Sequence, residues 1–244
     1  MLKRTLSGIT LTLLFISMST LALSFNVQQA KSDWTGTVYI RADGSIDPPE
    51  APIVTYDNFT YILTGNITSS DDGIIVERNN IIIDGKGYTL QGSGSGKGFY
   101  LSGINNVTIK NTHTKNFYHG IRLENSYNNY ISGNNITSII MEGIYLSLSS
   151  NVSVSENNIK DCKAGIYLER SYNVSVSGNN IKDSECGIAF YYSSDSSVCG
   201  NNIANNTYGM VLSSNSYNNV ISGNNITNNN RGISLRYSKL YNLS

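Results

Sequence analysis

Asn157-Asn158-Ile159-Lys160-Asp161-Cys162-Lys163-Ala164-Gly165-Ile166-Tyr167-Leu168-Glu169 returns 22 residues later as Asn179-Asn180-Ile181-Lys182-Asp183-Ser184-Glu185-Cys186-Gly187-Ile188-Ala189-Phe190-Tyr191. The Asn-Asn-Ile triplet recurs at Asn134, Asn157, Asn179, Asn201 and Asn224, in steps of 23, 22, 22 and 23. A glycine before an apolar residue recurs at Gly98, Gly120, Gly143, Gly165, Gly187, Gly209 and Gly232, in steps of 22, 23, 22, 22, 22 and 23. Two independent anchors share one period, which is the signature of a repeat architecture.

Aligned on the glycine, the repeats become columns. One position past it stand Phe99, Ile121, Ile144, Ile166, Ile188, Met210 and Ile233; two further on stand Leu101, Leu123, Leu146, Leu168, Phe190, Leu212 and Leu235. Between them lie Tyr100, Arg122, Tyr145, Tyr167, Ala189, Val211 and Ser234. This in-out-in alternation has period two, so each is a strand with its first and third residues inward. Ile109, Ile131, Val154, Val176, Val198 and Ile221 form another inward column, and Thr114, Ile136, Ile159, Ile181, Ile203 and Ile226 a fourth. So short a unit has no room for its own core; it buries these columns only by coiling and stacking, each rung ~4.8 Å above the last. Asparagine suits the corners, because it tolerates the left-handed conformation and its amide can bond to identical amides above and below. The fold expected is all-β, a right-handed parallel β-helix of about 22-residue rungs; the hand is that of known proteins of this type.

The two ends depart from the period. Residues 1–32 open with Lys3-Arg4 and an uncharged apolar stretch, Leu6 to Leu23, and read as a secretory signal peptide cleaved after Ser32. An uncleaved N-terminal anchor is the alternative. Residues 33–72 hold all three prolines and the strand-like runs Thr37–Ile40 and Phe59–Leu63; they are assigned as an N-terminal cap, since solenoids need atypical ends. Residues 73–244 are the repeat. Leu243 falls on the Ile131 column, so the repeat is expected to stop in mid-rung without a C-terminal cap and to continue in a further β-helix segment or subunit after Ser244.

Charge narrows the function. Lys+Arg and Asp+Glu are both 17; losing Lys3, Arg4 and Lys31 with residues 1–32 leaves 14 minus 17, or −3. No basic stripe exists to neutralise phosphates, which argues against nucleic acid as a partner, and a membrane is implied only if residues 6–23 stay as an anchor. The expected location is outside the cytoplasm, secreted or at the cell surface.

The residues Ile83-Asp84-Gly85-Lys86-Gly87-Tyr88-Thr89-Leu90, Asn106-Val107-Thr108-Ile109, the Gly-Ile-x-Leu rungs and the opening Gly36–Gly44 resemble the NosD-type family of secreted β-helix proteins, archaeal members included, with repeats of the carbohydrate-binding and sugar-hydrolase type. The resemblance covers roughly residues 33–244 and lies in structural positions, so it speaks for fold more than for function. The family name implies a periplasmic role in copper-enzyme assembly. Copper wants His, Met or Cys ligands brought together; the sequence offers His113 and His119 in one rung and Met141 in the next, read here as exposed turn residues.

Catalytic motifs are thin. Gly92–Gly98 lacks the first Gly and the final Ser/Thr of a phosphate loop, and no helix follows it. Asp161 and Asp183 share a column in successive rungs, a weak calcium or catalytic pair, but the same column holds Asn116, Asn205 and Asn228, which points to turn formation. Glu124 and Glu169 are two rungs apart, and the Asp71-Asp72 pair reads as a turn. An Asp-Pro-His-Asp motif of the alginate-epimerase type is absent, since no proline follows Pro52. No cofactor is indicated. Cys162 and Cys186 sit in adjacent rungs, where a bridge is open, and nine Asn-x-Ser/Thr sequons, including Asn151 and Asn173, arise mostly from the repeat itself.

The outward tyrosines carry more. Tyr100, Tyr145 and Tyr167 face out from one sheet beside Arg122, Glu124 and Glu169, with Tyr191 in the Glu column. A ring with an apolar face and a polar tip, set among charged hydrogen-bonding groups, suits a sugar. The expected function is a binding or structural module for an extracellular or cell-wall polysaccharide; a polysaccharide lyase or hydrolase and a copper-handling protein are the alternatives.

Overall fold

The computed structural model describes residues 33–238 and 240–243. The expected signal peptide or anchor in residues 1–32 lies outside the described residues. The chain is a right-handed parallel β-helix whose rungs each lay down strands on three faces. The first face is a ten-stranded sheet running from Ile53–Thr55 to Leu240–Leu243. The second and third are fused into a 17-stranded sheet by two strands, Asn135–Ser147 and Asn158–Glu169, that turn the corner without a break. Among the described residues all strand pairings are parallel except two, Val38–Ile40 with Ile46–Asp47 and Ile53–Thr55 with Thr60–Leu63. Residues 33–72 hold these two hairpin pairings and also start the stack: Val38–Ile40 pairs in parallel with Ile74–Val76, and Thr60–Ile62 with Ile82–Asp84.

The inward columns meet in one core. Ile121, Ile144, Ile166 and Ile188 are in register and fully buried, as are Leu123, Leu146 and Leu168. Each glycine of the repeat stands where the chain bends toward the third face. A Cβ on Gly165 would lie 2.7 Å from the carbonyl oxygen of Gly187 and 2.5 Å from Ile181 Cγ2; on Gly120 it would meet Gly143 O at 2.4 Å. The column is therefore glycine because the rungs approach too closely for any side chain, not because the backbone needs unusual dihedrals.

The asparagines form the expected ladder. Asn134 Nδ2 donates to Asn157 Oδ1 at 3.0 Å, Asn157 to Asn179 at 3.0 Å, Asn179 to Asn201 at 2.9 Å and Asn201 to Asn224 at 2.9 Å. The same oxygens accept the backbone N–H of the preceding rung, so a buried corner keeps its polar groups satisfied. Ser126, Ser149, Ser171, Ser193 and Ser216 repeat the device at another corner, each hydroxyl oxygen accepting a backbone N–H from the rung before.

Candidate functional site

The outer surface of the third face carries columns that do not repeat. Tyr100, Arg122, Tyr145, Tyr167, Ala189, Val211 and Ser234 stand in one row; Ser102, Glu124, Ser147, Glu169, Tyr191, Ser213 and Arg236 in the next. Glu142, Ala164, Cys186, Tyr208 and Arg231 form a third. Where alanine replaces a large residue, at Ala164 and Ala189, the surface sinks. A groove of ≈ 560 Å³ results, walled by Tyr118, Met141, Lys163 and Glu185 on one side and by Arg122, Tyr145, Tyr167 and Glu169 on the other.

A β-bulge shapes its rim. Two residues lie between Ile139 and Glu142 in one rung, where one lies between Cys162 and Ala164 in the next. The extra residue leaves Ile140 half-exposed and Met141 and Glu142 at the groove. Bulges re-aim side chains in this way and collect beside functional sites.

Four of the seven expected binding residues, Arg122, Tyr145, Tyr167 and Glu169, are brought together in the groove. The Tyr145 and Tyr167 rings are 5.6 Å apart at 62°. Arg122 lies 4.9 Å from the Tyr145 ring centre, a cation–π distance. The Tyr145 hydroxyl donates to Glu169. Burial, with the Glu169 hydrogen bond behind it, pushes the Tyr145 phenol up to about 12; burial, then the Glu169 charge, does the same to Tyr167. The other three lie outside the groove lining. Tyr100 donates to Glu124 Oε2 at 2.7 Å, and Arg122 Nε to Glu124 Oε1 at 2.7 Å. Burial opposes ionisation of Glu124, but these two hydrogen bonds outweigh it and hold its carboxyl below the usual range. Tyr191 packs edge-on against Tyr192, with ring centres 4.8 Å apart.

His119 corrects an expectation. It is not an exposed turn residue but 6% exposed, because its ring is stacked on Tyr145 at 5.5 Å and met edge-on by Tyr118 at 4.8 Å. Arg122 Nη1 donates to its Nε2 at 2.9 Å, which places the ring proton on Nδ1. That atom lies 2.7 Å from Glu142 Oε2. The distance is that of a hydrogen bond but the angle is not, so both buried atoms lack an aligned partner. The sequence signal was there, since His119 immediately precedes the repeat glycine and Glu142 holds the same place one rung on. The burial of His119 depends on Tyr118 and Tyr145 closing over it, which no column shows.

Asp161 and Asp183 are turn residues, with φ of 56° and 54°, matching Asn116, Ser138, Asn205 and Asn228 of the same column. Asp161 has Lys160 Nζ at 3.8 Å. His113 is on the second face, its Nε2 3.4 Å from Thr137 Oγ1, remote from the groove that holds His119. Burial, then Lys115 and Lys160, lowers the His113 pKa. Among the described residues no three His, Cys, Asp or Glu side chains converge as a metal site. All three cysteines are free thiols. Cys162 packs into the core and Cys186 lines the groove, so their side chains leave the sheet on opposite sides. Burial pushes both thiols up to about 12, well into the unreactive range.

Among known proteins, the family described as periplasmic copper-binding protein (NosD) matches residues 37–151 and 66–243. Of copper-type donors the groove holds His119, Met141 and Cys186, but the His119 Nε2 lone pair is taken by Arg122 and burial keeps the Cys186 thiol protonated, so the donor set as it stands does not fit a copper centre. No curated protein matches the sequence. A mutant of the periplasmic alginate epimerase AlgG is similar in structure, with a TM-score of 0.58 and 16% identity over 83% of this chain and 66% of that one. DFA-IIIase from Arthrobacter chlorophenolicus A6 is similar with a TM-score of 0.50 and 18% identity over 66% of this chain and 40% of its own. The chain thus spans between two fifths and two thirds of the length of these proteins, and at such identities the likeness is one of fold. No helix among the described residues is long and apolar enough to cross a membrane.

Proposed function

The chain belongs to the NosD family, and we propose that this member is a secreted or surface-displayed β-helix that binds a polysaccharide strand in the groove of its third face. One observation carries the reading: Tyr145 and Tyr167 present ring surface next to groups that can both donate and accept hydrogen bonds, where the columns of the third face stop repeating. Sugars need that pairing, with their C–H face on the ring and their hydroxyls on Arg122, Lys163, Glu169 and Glu185. Cations and anions are mixed, which suits an uncharged sugar better than a polyanion. The fold neighbours named for alginate epimerase and DFA-IIIase activity are consistent with a sugar ligand.

A glycan-array screen of the protein, repeated with Tyr145→Ala/Tyr167→Ala, tests it. Binding that disappears in the double variant, with the circular dichroism spectrum unchanged, is the expected result. A folded protein that binds no glycan sinks the proposal.

A polysaccharide lyase or hydrolase is a second reading, favoured by the buried His119–Glu142 contact at the groove wall. With the His119 Nε2 lone pair taken by Arg122, the group at this wall able to exchange a proton with a ligand is the Glu142 carboxyl, whose Oε2 lacks an aligned partner, and His119 positions it. For this reading, His119→Ala and Glu142→Gln remove turnover of a bound glycan while its affinity stays. Absence of turnover in the unmodified protein on every glycan it binds leaves the binding module alone.

A further inference from the structure

We propose that the corner joining the third face to the first is a second glycan surface, distinct from the groove, that holds an extended β-linked chain by every second sugar. Tyr127, Ser150, Tyr172, Ser194 and Tyr217 occupy one column there. Parallel bridges join Tyr127 to Ser150, Ser150 to Tyr172 and Tyr172 to Ser194. Backbone bonds keep the line straight, from Asn128 N to Ser150 O, Asn151 N to Tyr172 O, Asn173 N to Ser194 O and Asp195 N to Tyr217 O. Tyrosine and serine alternate, so the rings stand two rungs apart, ~9.6 Å at the spacing of hydrogen-bonded strands. They are 40%, 52% and 43% exposed.

Two further features mark this corner. In the serine rungs, two positions earlier, stand Leu148 and Tyr192, also about half-exposed. Both take left-handed backbone, with φ of 50° and 51°, where the tyrosine rungs carry Asn125, Arg170 and Asn215. The whole column takes this turn conformation, so the serine rungs set a large apolar side chain where asparagine is the cheaper turn residue. The corner therefore presents one large apolar side chain on each of five successive rungs, in two alternating columns. Beside the tyrosine column runs an exposed amide rail: Asn151 Nδ2 donates to Asn128 Oδ1 at 3.1 Å, and Asn173 Nδ2 to Asn151 Oδ1 at 2.7 Å. Each amide keeps one N–H free for a ligand.

An extended β-linked glycan such as cellulose or chitin turns each sugar over relative to the last, so one face recurs at every second ring. Its advance per sugar is close to one rung of this solenoid. Rings at alternate rungs then stack on equivalent sugar faces, while the amide rail meets the hydroxyls along the chain edge. A helical α-linked glucan has no such straight two-sugar repeat.

The test is depletion of the full chain from solution by insoluble cellulose, chitin and starch. The expected result is binding to cellulose or chitin but not to starch, weakened at least about tenfold in Tyr127→Ser/Tyr172→Ser/Tyr217→Ser. A second variant, Tyr172→Ser with Ser150→Tyr, keeps the number of tyrosines but breaks the two-rung spacing, and loses binding likewise. The triple variant keeps the binding of soluble array glycans that the groove supplies, which separates this surface from the groove. The proposal is overturned by equal binding to starch, by no binding to cellulose or chitin, or by undiminished binding of the spacing variant. It is also overturned if the triple variant changes only self-association of the protein.

Discussion

The buried asparagine corner and the groove are cut from the same rungs, yet they follow opposite rules. At the corner every rung supplies the same residue, from Asn134 to Asn224, and each amide answers the one before it. At the groove hardly any two neighbours agree: Arg122, Tyr145, Tyr167 and Ala189 succeed one another in a single row. Uniform columns carry stability, since each rung must satisfy the next. Broken columns are not held to one residue type by their neighbours and are free to carry specificity. In a repeat protein, function is found where the repetition fails.

Breaking a uniform column has the largest expected effect on the fold. Gly165→Ala forces a Cβ against the Gly187 carbonyl and Ile181, neither of which is a flexible tip. Overpacking of this kind costs about 1–3 kcal/mol or more, read as a lowered midpoint in chemical denaturation. Asn179→Ala strands the Asn157 amide, the Asn157 backbone N–H and the Val154 carbonyl, and is expected to cost on the order of 3 kcal/mol. By contrast, Tyr145→Ala/Tyr167→Ala takes partly exposed rings from a broken column. Its expected signature is lost binding of the groove's soluble glycan with a denaturation midpoint far closer to that of the unmodified protein than Asn179→Ala gives.

The same contrast has a pH signature. With folded pKa values raised to about 12 against an ordinary 10, Tyr145 and Tyr167 stay protonated when unfolded chains have begun to ionise. Their contribution to stability is complete below pH 10 and falls away as pH rises toward 12. A tyrosinate absorbance titration of the folded protein is expected to lose its latest-titrating component in Tyr145→Phe/Tyr167→Phe. The smallest effect belongs to Asp161→Asn, which keeps a left-handed turn residue in a column already rich in asparagine; its stability change is expected within about 0.5 kcal/mol.

The uniform columns were legible in the sequence, since a strict period states which residues lie above which. The core, the glycine column and the amide ladder follow directly from it. Arg122, Tyr145, Tyr167 and Glu169 were legible as an outward group for the same reason. The groove itself was not: it depends on the small Ala164 and Ala189 and on one inserted residue near Ile140, whose effect is a bend in three dimensions. His119 was misread because exposure is a matter of what covers a residue, and Tyr118 and Tyr145 cover it from different rungs. Tyr100, Glu124 and Tyr191 share the face but sit beyond the depression, since column membership fixes a row and not a depth.

Titration calorimetry of the best array ligand into the protein, into Tyr145→Ala/Tyr167→Ala and into Asn158→Ala tests the central claim most directly. Asn158 belongs to a uniform outer ladder with Asn135 and Asn180 on the second face. The account predicts that the tyrosine pair abolishes binding while Asn158→Ala leaves the affinity unchanged. Equal loss in both, or loss only in Asn158→Ala, would contradict the claim that the broken columns hold the site.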